Sequence, residues 1–315
     1  MTRVDLITGF LGSGKTTFIR KYLKHLKDQG EHVHIIENEF GSAAIDSRLL
    51  RDEDCSIDDL AGCCMCCTGR DKFISMLIQA ARDGCDRILV EPSGIYDVDE
   101  FFSVMETDAV KKYCEIGSIL TIVDARIDDH LSLESDYLMY AQLLAAGRII
   151  FSKTQMYEEG TSAETIRQLN AIIDSMGGGR VLGDDVFTKD WDHLSKEDFD
   201  SFDQSGCRRI RHHRRLMEHQ EIYMTVLIAE RCAGLQDLKE RIRGLFDDPS
   251  LGQVIRVKGY MKDLDNNWYE ANCTRTTIEV IPVTDIRRGL LVVIGQQLNE
   301  ALLRQAFLPR KSTRK

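Results

Sequence analysis

The eight residues GFLGSGKT at positions 9–16 constrain the fold of this chain more than any other segment. They fit the spacing G-x-x-x-x-G-K-[ST], in which glycines let consecutive backbone N–H groups converge on phosphate oxygens. The motif follows a β-branched, apolar run at 3–8 and precedes residues with helical spacing that end at Gly30. This strand–loop–helix context predicts a nucleoside triphosphate site; a simple glycine turn is the alternative.

The residue types of the loop predict separate tasks for its members. Lys15 is expected to reach the β- and γ-phosphates and to take part in catalysis, and the Thr16 hydroxyl is expected to bind Mg²⁺. The residues predicted to bind the nucleotide here are Gly12, Ser13, Gly14, Lys15, Thr16 and Thr17.

Apolar strands alternate with helical segments as far as about residue 190. The predicted strands lie at 3–8, 32–37, 86–94, 117–125 and 148–155. The predicted helices follow the phosphate loop and lie at 69–84, 137–147 and 162–176. Near-continuous apolar strands that alternate with helices predict an α/β fold, with a mostly parallel sheet covered by helices on both faces.

The pattern changes after this first domain, which we predict to span residues 1–190. Residues 191–219 are polar and end in a basic run at 208–219, which indicates a linker; a patch for polyanions is the alternative. Hairpin-like strands and fewer helices then predict a smaller α+β domain over residues 220–315.

Two acidic residues stand at the ends of predicted strands in the first domain. Glu91 follows the run RILV and Asp124 follows TIV. The carboxyl ends of parallel strands meet at one edge of a sheet, so both carboxylates are expected near the phosphate loop. There they would orient an attacking water or the water shell of a metal, as catalytic residues. A solvated strand-end carboxylate is the alternative for Glu91.

A cluster of cysteines occupies positions 63–67, with only Met65 between the two pairs. Thiolates of Cys64, Cys66 and Cys67 are close enough in sequence to share one soft or borderline ion, and Zn²⁺ commonly takes sulfur ligands in a tetrahedron. This one segment does not supply a complete set of four ligands. The best nearby carboxylate is Glu37, at the end of a predicted strand. Buried or redox-labile thiols without a metal are the alternative.

Charge and hydropathy bear on possible partners. The formal net charge is −10, from 51 acidic and 41 basic residues, which disfavours binding to nucleic acid. No stretch approaches the ~18 apolar residues of a membrane span, so no membrane partner is expected. The start of the chain shows no signal peptide, so we expect a cytoplasmic protein.

Five motifs occur in a fixed order and carry a resemblance to a known family. ITGFLGSGKTT, IIENEFG, GCCMCC, ILVEPSG and TIVDA together resemble the CobW-like P-loop GTPases, which include the urease and hydrogenase nickel-insertion proteins. The resemblance implies GTP binding, slow hydrolysis to GDP, and a metal site at the C-x-C-C motif. The metal is expected to be Zn²⁺ first and Co²⁺ next, delivered to a client metalloprotein by a monomer or a nucleotide-dependent homodimer.

One departure from the family pattern affects the choice of base. GTPases of this kind read guanine with N-K-x-D, whereas this chain has Ser152, Lys153, Thr154 and Gln155. Lys153 is still expected to stack along the base, and the Gln155 amide oxygen can accept one guanine N–H without charge assistance. GTP is favoured over ATP.

Three other functions remain open from the sequence. One is an NTP-dependent activator that inserts or reactivates a cofactor, such as a corrinoid, in a partner enzyme. Another is a redox-sensing regulatory NTPase based on Cys63–Cys67. The third is a metabolic NTP-dependent enzyme with an incidental cysteine cluster.

Overall fold

The computed structural model describes residues 1–38, 56–59, 69–129, 131–209, 223–284, 286 and 289–308. The chain divides into two units, Met1–Arg215 and Leu216–Lys315. No helix in the described part of the chain combines the length and apolar content that a bilayer span needs.

The first unit is built on a seven-stranded sheet. Its strands are β1 (Thr2–Thr8), β2 (Val33–Glu37), β3 (Ser56–Asp59), β4 (Arg87–Glu91), β5 (Cys114–Asp124), β6 (Arg148–Ser152) and β7 (Val186–Phe187). They lie in the order β3-β2-β4-β1-β5-β6-β7, and every neighbouring pair is parallel. All their carboxyl ends therefore lie along one edge, with the end of β1 near the middle.

Helices cover both faces of this sheet. They are α1 (Lys15–Asp28), α2 (Arg70–Arg82), α3 (Val98–Met105), α4 (Asp108–Lys111), α5 (Leu133–Ala145), α6 (Thr161–Ser175) and α7 (Lys196–Asp203). Phe73 of α2 and Phe101 of α3 belong to a buried cluster with Val90 of β4. Phe18 of α1 belongs to a second cluster with Leu89, the residue that precedes Val90 in β4. Successive residues of a strand point to opposite faces, so the predicted two-sided α/β fold is confirmed.

Residues 191–209, which the sequence assigned to a polar linker, fold as part of the first unit. Trp191 opens a 3₁₀ turn, and Ser195 caps α7 through a capping box with Asp198. Phe199 and Phe202 of α7 are buried in the cluster that contains Phe18. The sequence of this segment resembles a linker because its few apolar residues, among them Trp191, Phe199 and Phe202, are separated by acidic and polar ones.

The second unit is a sheet with helices, as the predicted α+β domain requires. Its strands are β8 (Tyr223–Ile228), β9 (Arg231–Cys232), β10 (Gln253–Asp263), β11 (Trp268–Thr274), β12 (Ile278–Val283) and β13 (Leu290–Gln296), and its helices are α8 (Leu235–Asp247) and α9 (Glu300–Phe307). The order β12-β11-β10-β13-β8 is antiparallel throughout, and β9 pairs with β10 in parallel. Ile242 of α8 and Phe307 of α9 share a buried cluster with Val257 of β10.

Several short elements were not predicted from the sequence, namely β3, β7, β9, α3, α4 and α7. Each contains only two to eight residues, which is too few for a hydrophobic period to stand out. The longer elements differ from prediction mainly at their ends; β5 starts at Cys114 rather than at residue 117.

A buried ion-pair network fixes α7 to the amino ends of the strands. Arg87 is 2% exposed and donates to Asp5, which is fully buried, at 2.8 Å. The same guanidinium binds both carboxylate oxygens of Glu31, at 2.8 and 2.9 Å, and also contacts Asp203 at the end of α7. Ser118 donates its backbone N–H to Asp5 at 2.7 Å. The network joins β1, β4, β5 and α7 through charged and polar groups.

We predict that Arg87→Met lowers the free energy of unfolding of the first unit by about 3–5 kcal/mol, because Asp5 then stays buried without its cation. The measurement is urea unfolding followed by Trp191 fluorescence in a Trp268→Phe background. Arg82→Met is the matched control, since Arg82 is exposed and contacts the Tyr113 hydroxyl at the surface. The control should lose about 1 kcal/mol or less. Equal losses in the two variants would contradict a central role for Arg87.

Candidate functional site

The phosphate loop follows the end of β1 near the middle of the sheet and includes the first two residues of α1. Gly9 has a φ of 144°, and a Cβ there would lie 2.1 Å from the carbonyl oxygen of Ile122. Gly14 has a φ of 97° directly before the helix. Both positions need glycine, because any side chain would be strained and at Gly9 would also strike the backbone of β5.

Lys15 and Ser13 show that the loop is suited to an anion. Lys15 is 6% exposed, and its Nζ donates to the carbonyl oxygens of Gly9 at 2.9 Å and Phe10 at 3.4 Å. The ammonium therefore folds over the loop itself. Ser13 Oγ is buried and has no hydrogen-bond partner among the described residues. A bound phosphate gives this hydroxyl the acceptor that buried polar groups ordinarily have.

Two buried carboxylates lie on the β2–β4 side of the loop. Thr16 Oγ1 donates to Glu91 Oε1 at 2.9 Å, and Glu91 is the last residue of β4. Glu37 ends β2 and lies directly opposite Glu91 in the parallel register. Asn38, the residue after Glu37, donates its N–H to the Glu91 carbonyl oxygen at 2.8 Å. The predicted metal ligand Glu37 and the predicted catalytic residue Glu91 are thus neighbours.

The oxygen donors on this side fit a magnesium ion. Mg²⁺ prefers hard oxygen ligands, and the Thr16 hydroxyl and Glu91 carboxylate are adjacent at the loop. These are the residues that would hold it. When bound with a nucleoside triphosphate, Mg²⁺ supplies positive charge to the β- and γ-phosphate oxygens.

Asp124 lies on the opposite side of the loop from Glu91. It ends β5, and its Oδ2 accepts from Lys153 Nζ at 2.6 Å. Lys153 has a φ of 58° and also donates to the carbonyl oxygen of Gly12 at 3.1 Å. The described contacts of Asp124 position Lys153 against the phosphate loop. Its catalytic role stays a prediction, and these contacts do not connect it to Thr16 and Glu91.

The remaining residues considered for the nucleotide site include both exposed and buried side chains. Gln155 lies in a 3₁₀ turn at Thr154–Met156 and is exposed, as is Thr17 on α1. Sequence reasoning missed Trp191, whose ring would lie 3.6 Å from a Cβ built on Gly14. Trp191 is 7% exposed. The sequence indicates Trp191 only by placing an aromatic residue in the polar stretch that follows β7.

The predicted sulfur ligands Cys64, Cys66 and Cys67, together with Cys63, lie outside the described residues. In the described ranges, no three His, Cys, Asp or Glu side chains are grouped to hold a metal ion. Burial raises the pKa of the thiols of Cys85 and Cys114 to about 11 and that of Cys273 to about 12. These three cysteines are therefore neutral thiols near pH 7, which are poor metal ligands and poor nucleophiles.

The parallel sheet, the glycine loop, the lysine over it and the paired Thr16 and Glu91 define a P-loop nucleotide-binding protein. The model of the CobW/HypB/UreG nucleotide-binding domain matches residues 3–177, which is more than half of the chain. The chain therefore belongs to the CobW/HypB/UreG family.

Curated relatives each match somewhat more than half of the chain. Identity is 34% over 183 residues with zinc chaperone YeiR of Escherichia coli, covering 58% of this chain and 54% of that protein. It is 28% over 204 residues with zinc chaperone CobW of Pseudomonas aeruginosa, covering 54% and 52%. It is 31% over 183 residues with zinc-regulated GTPase metalloprotein activator 1 of Schizosaccharomyces pombe, covering 54% and 44%. The chain spans about half the length of the curated relatives it matches.

We predict that Lys15→Met weakens binding of a nucleoside triphosphate by about 100-fold, because it removes the ammonium that lies over the loop. Asp124→Asn should weaken binding by only about tenfold or less, because Lys153 keeps its bond to Gly12. The measurement is titration with a fluorescently labelled nucleotide.

Lys24→Met is the matched control, since Lys24 is an exposed lysine on the same helix. Its affinity should equal that of the unaltered protein. Equal weakening by Lys15→Met and Lys24→Met would mean that only net charge matters.

Proposed function

We propose that this chain is a GTP-dependent metallochaperone. In this proposal it binds a transition metal at Cys64, Cys66 and Cys67 with Glu37, hydrolyses GTP slowly, and delivers the metal to a client protein. Zn²⁺ is the first choice and Co²⁺ the next. A cytoplasmic location and a monomer or nucleotide-dependent homodimer belong to the same proposal.

One observation carries the proposal: Glu37 and Glu91 lie opposite each other at the ends of adjacent parallel strands. Glu91 also accepts the Thr16 hydroxyl in the phosphate loop. A ligand that rearranges Thr16 and Glu91 therefore acts one strand away from a proposed metal ligand. The names of the relatives support a role in metal delivery, since two are called zinc chaperones and one is called a zinc-regulated GTPase metalloprotein activator.

The nucleotide state must change the affinity for metal if it is to drive transfer. A ligand shifts an equilibrium only by its differential affinity for the two states. In this proposal, GTP with Mg²⁺ orders the segments around Glu37 and Glu91 and tightens the metal site. Hydrolysis to GDP relaxes both segments and releases the metal.

GTP is the proposed nucleotide although the N-K-x-D pattern is incomplete. Lys153 is held by Asp124 and Gly12 beside the loop, where its alkyl chain can support a base. Gln155 is exposed and would supply only a neutral amide to guanine. We therefore propose a weaker preference for guanine than a carboxylate would give.

The test is a Zn²⁺ competition titration of the reduced protein, with Mg²⁺ and either a non-hydrolysable GTP analogue or GDP. We expect Zn²⁺ to bind at least about fivefold more tightly with the analogue, as in typical allosteric coupling. Cys66→Ala/Cys67→Ala should abolish this binding. Cys207→Ala should preserve it, because Cys207 is a half-buried thiol that forms a bridge with Ala146 between α5 and β6.

Equal Zn²⁺ affinity in the two nucleotide states would overturn the chaperone proposal and leave a structural zinc site. No Zn²⁺ binding at all would favour redox chemistry for the cysteines.

A further inference from the structure

The segment between β7 and α7 places a tryptophan beside the phosphate loop. The family model ends at residue 177, and Trp191 lies beyond it, in the 3₁₀ turn Trp191–His193. A Cβ built on Gly14 would lie 3.5 Å from Ser152 Cβ and 3.6 Å from Trp191 Cη2. Both are ordinary van der Waals distances, so these two side chains leave room for about one methyl group beside Gly14.

Both side chains that bound this space are buried. Ser152 ends β6 and is 1% exposed, and Trp191 is 7% exposed. Ser152 Oγ donates to the carbonyl oxygen of Val123 in β5 at 3.4 Å. Serine also stands where the N-K-x-D pattern has the longer asparagine. The ring of Trp191 therefore supplies bulk beside Gly14 that a short side chain at position 152 cannot supply.

Helix α1 holds Trp191 in this position. The rings of Phe18 and Trp191 meet edge to face, with centroids 5.6 Å apart and planes at 62°, which is a favourable aromatic arrangement. Lys21 Nζ donates to the carbonyl oxygen of Trp191 at 3.1 Å and to Asp192 Oδ1 at 3.2 Å. Because α1 begins directly after Gly14, the loop, the helix and the tryptophan form a closed set of contacts.

The indole carries a cost that a smaller aromatic ring would avoid. Trp191 Nε1 is buried and donates no hydrogen bond to any residue that the structure describes. A buried donor without an acceptor costs free energy, and phenylalanine has no such donor. The feature that phenylalanine lacks is the reach of the indole to Gly14.

The conformation of Gly14 explains why bulk at this point matters for nucleotide binding. Gly14 has a φ of 97°, in a region that glycine enters and leaves freely because it has no Cβ. The loop binds phosphate only when its backbone N–H groups converge on the oxygens. A wall that limits the movement of Gly14 lowers the entropy that the loop loses when phosphate binds.

We propose that Trp191 is a positioning residue for the phosphate loop. Its ring limits the movement of Gly14 and so keeps the N–H groups of the loop aimed at the α- and β-phosphates. GDP and GTP share these two phosphates, so Trp191 contributes equally to the affinity for each. This inference rests on the nucleotide binding of the proposed function and is independent of metal transfer.

Trp191→Phe tests the proposal, because phenylalanine keeps an aromatic ring near Phe18 but is too short to reach Gly14. We expect the affinities for GDP and for a non-hydrolysable GTP analogue to fall by about tenfold each, with their ratio unchanged. Both affinities are measured by calorimetry with Mg²⁺. The same titration of the unaltered protein reports nucleotide binding itself, so failure of the proposed function gives a different result from failure of this role.

Phe199→Leu is the matched control. Phe199 is buried in the same aromatic cluster, but it stacks on His25 in the second half of α1. Both variants should unfold at lower urea concentration than the unaltered protein, whereas Phe199→Leu should keep both nucleotide affinities within about twofold. Equal losses of affinity in the two variants, no loss in Trp191→Phe, or a loss confined to the GTP analogue would overturn the proposal.

A second measurement keeps Trp191 in place. The chain has two tryptophans, so Trp191 is the sole emitter in a Trp268→Phe background. Its fluorescence should change saturably with GDP, with a midpoint equal to the calorimetric Kd, because the ring lies beside the loop that orders around phosphate. Binding of GDP by calorimetry without any change in this emission would overturn the proposal even if Trp191→Phe failed to fold.

Discussion

The parallel pairing of β2, β4, β1 and β5 is the constraint on which the site depends. Parallel strands end at the same edge, so the phosphate loop, Glu37, Glu91 and Asp124 come together although they are far apart in sequence. The order of the strands then divides the edge into two sides. β4 and β2 place two carboxylates on one side of the loop, and β5 places Asp124 with Lys153 on the other.

This division separates two kinds of chemistry. The Glu91 side carries hard oxygen donors beside Thr16 and the residue proposed to reach the metal. The Asp124 side carries an ion pair that holds a lysine against the loop carbonyl of Gly12. In the proposed function, a change at the γ-phosphate therefore acts on Glu91 and its neighbour Glu37, while Lys153 on the far side need not move.

The site could be predicted from the sequence wherever local spacing decides the geometry. The phosphate loop was predictable because its glycines, lysine and threonine occupy one strand–loop–helix turn. Glu91 was predictable because a carboxylate follows an apolar strand in a parallel sheet. The metal cluster cannot be judged in this way, because Cys64, Cys66 and Cys67 lie outside the described residues.

Long-range partners were not predictable from local pattern. The pairing of Asp124 with Lys153 depends on the adjacency of β5 and β6 and on the left-handed backbone of Lys153. Trp191 approaches Gly14 only because α7 folds back over α1, and a short acidic helix has little hydrophobic period to read.

The central claim is that nucleotide and metal share the edge formed by β2 and β4. The most direct measurement is the affinity of a non-hydrolysable GTP analogue with and without Zn²⁺, for the unaltered protein and for Glu37→Gln. Binding linkage is reciprocal, so Zn²⁺ should raise the analogue's affinity by the same factor by which the analogue raises the affinity for Zn²⁺. Glu37→Gln should remove that factor and leave the affinity without Zn²⁺ unchanged. An equal effect of Zn²⁺ in both proteins, or none in the unaltered protein, would contradict the claim.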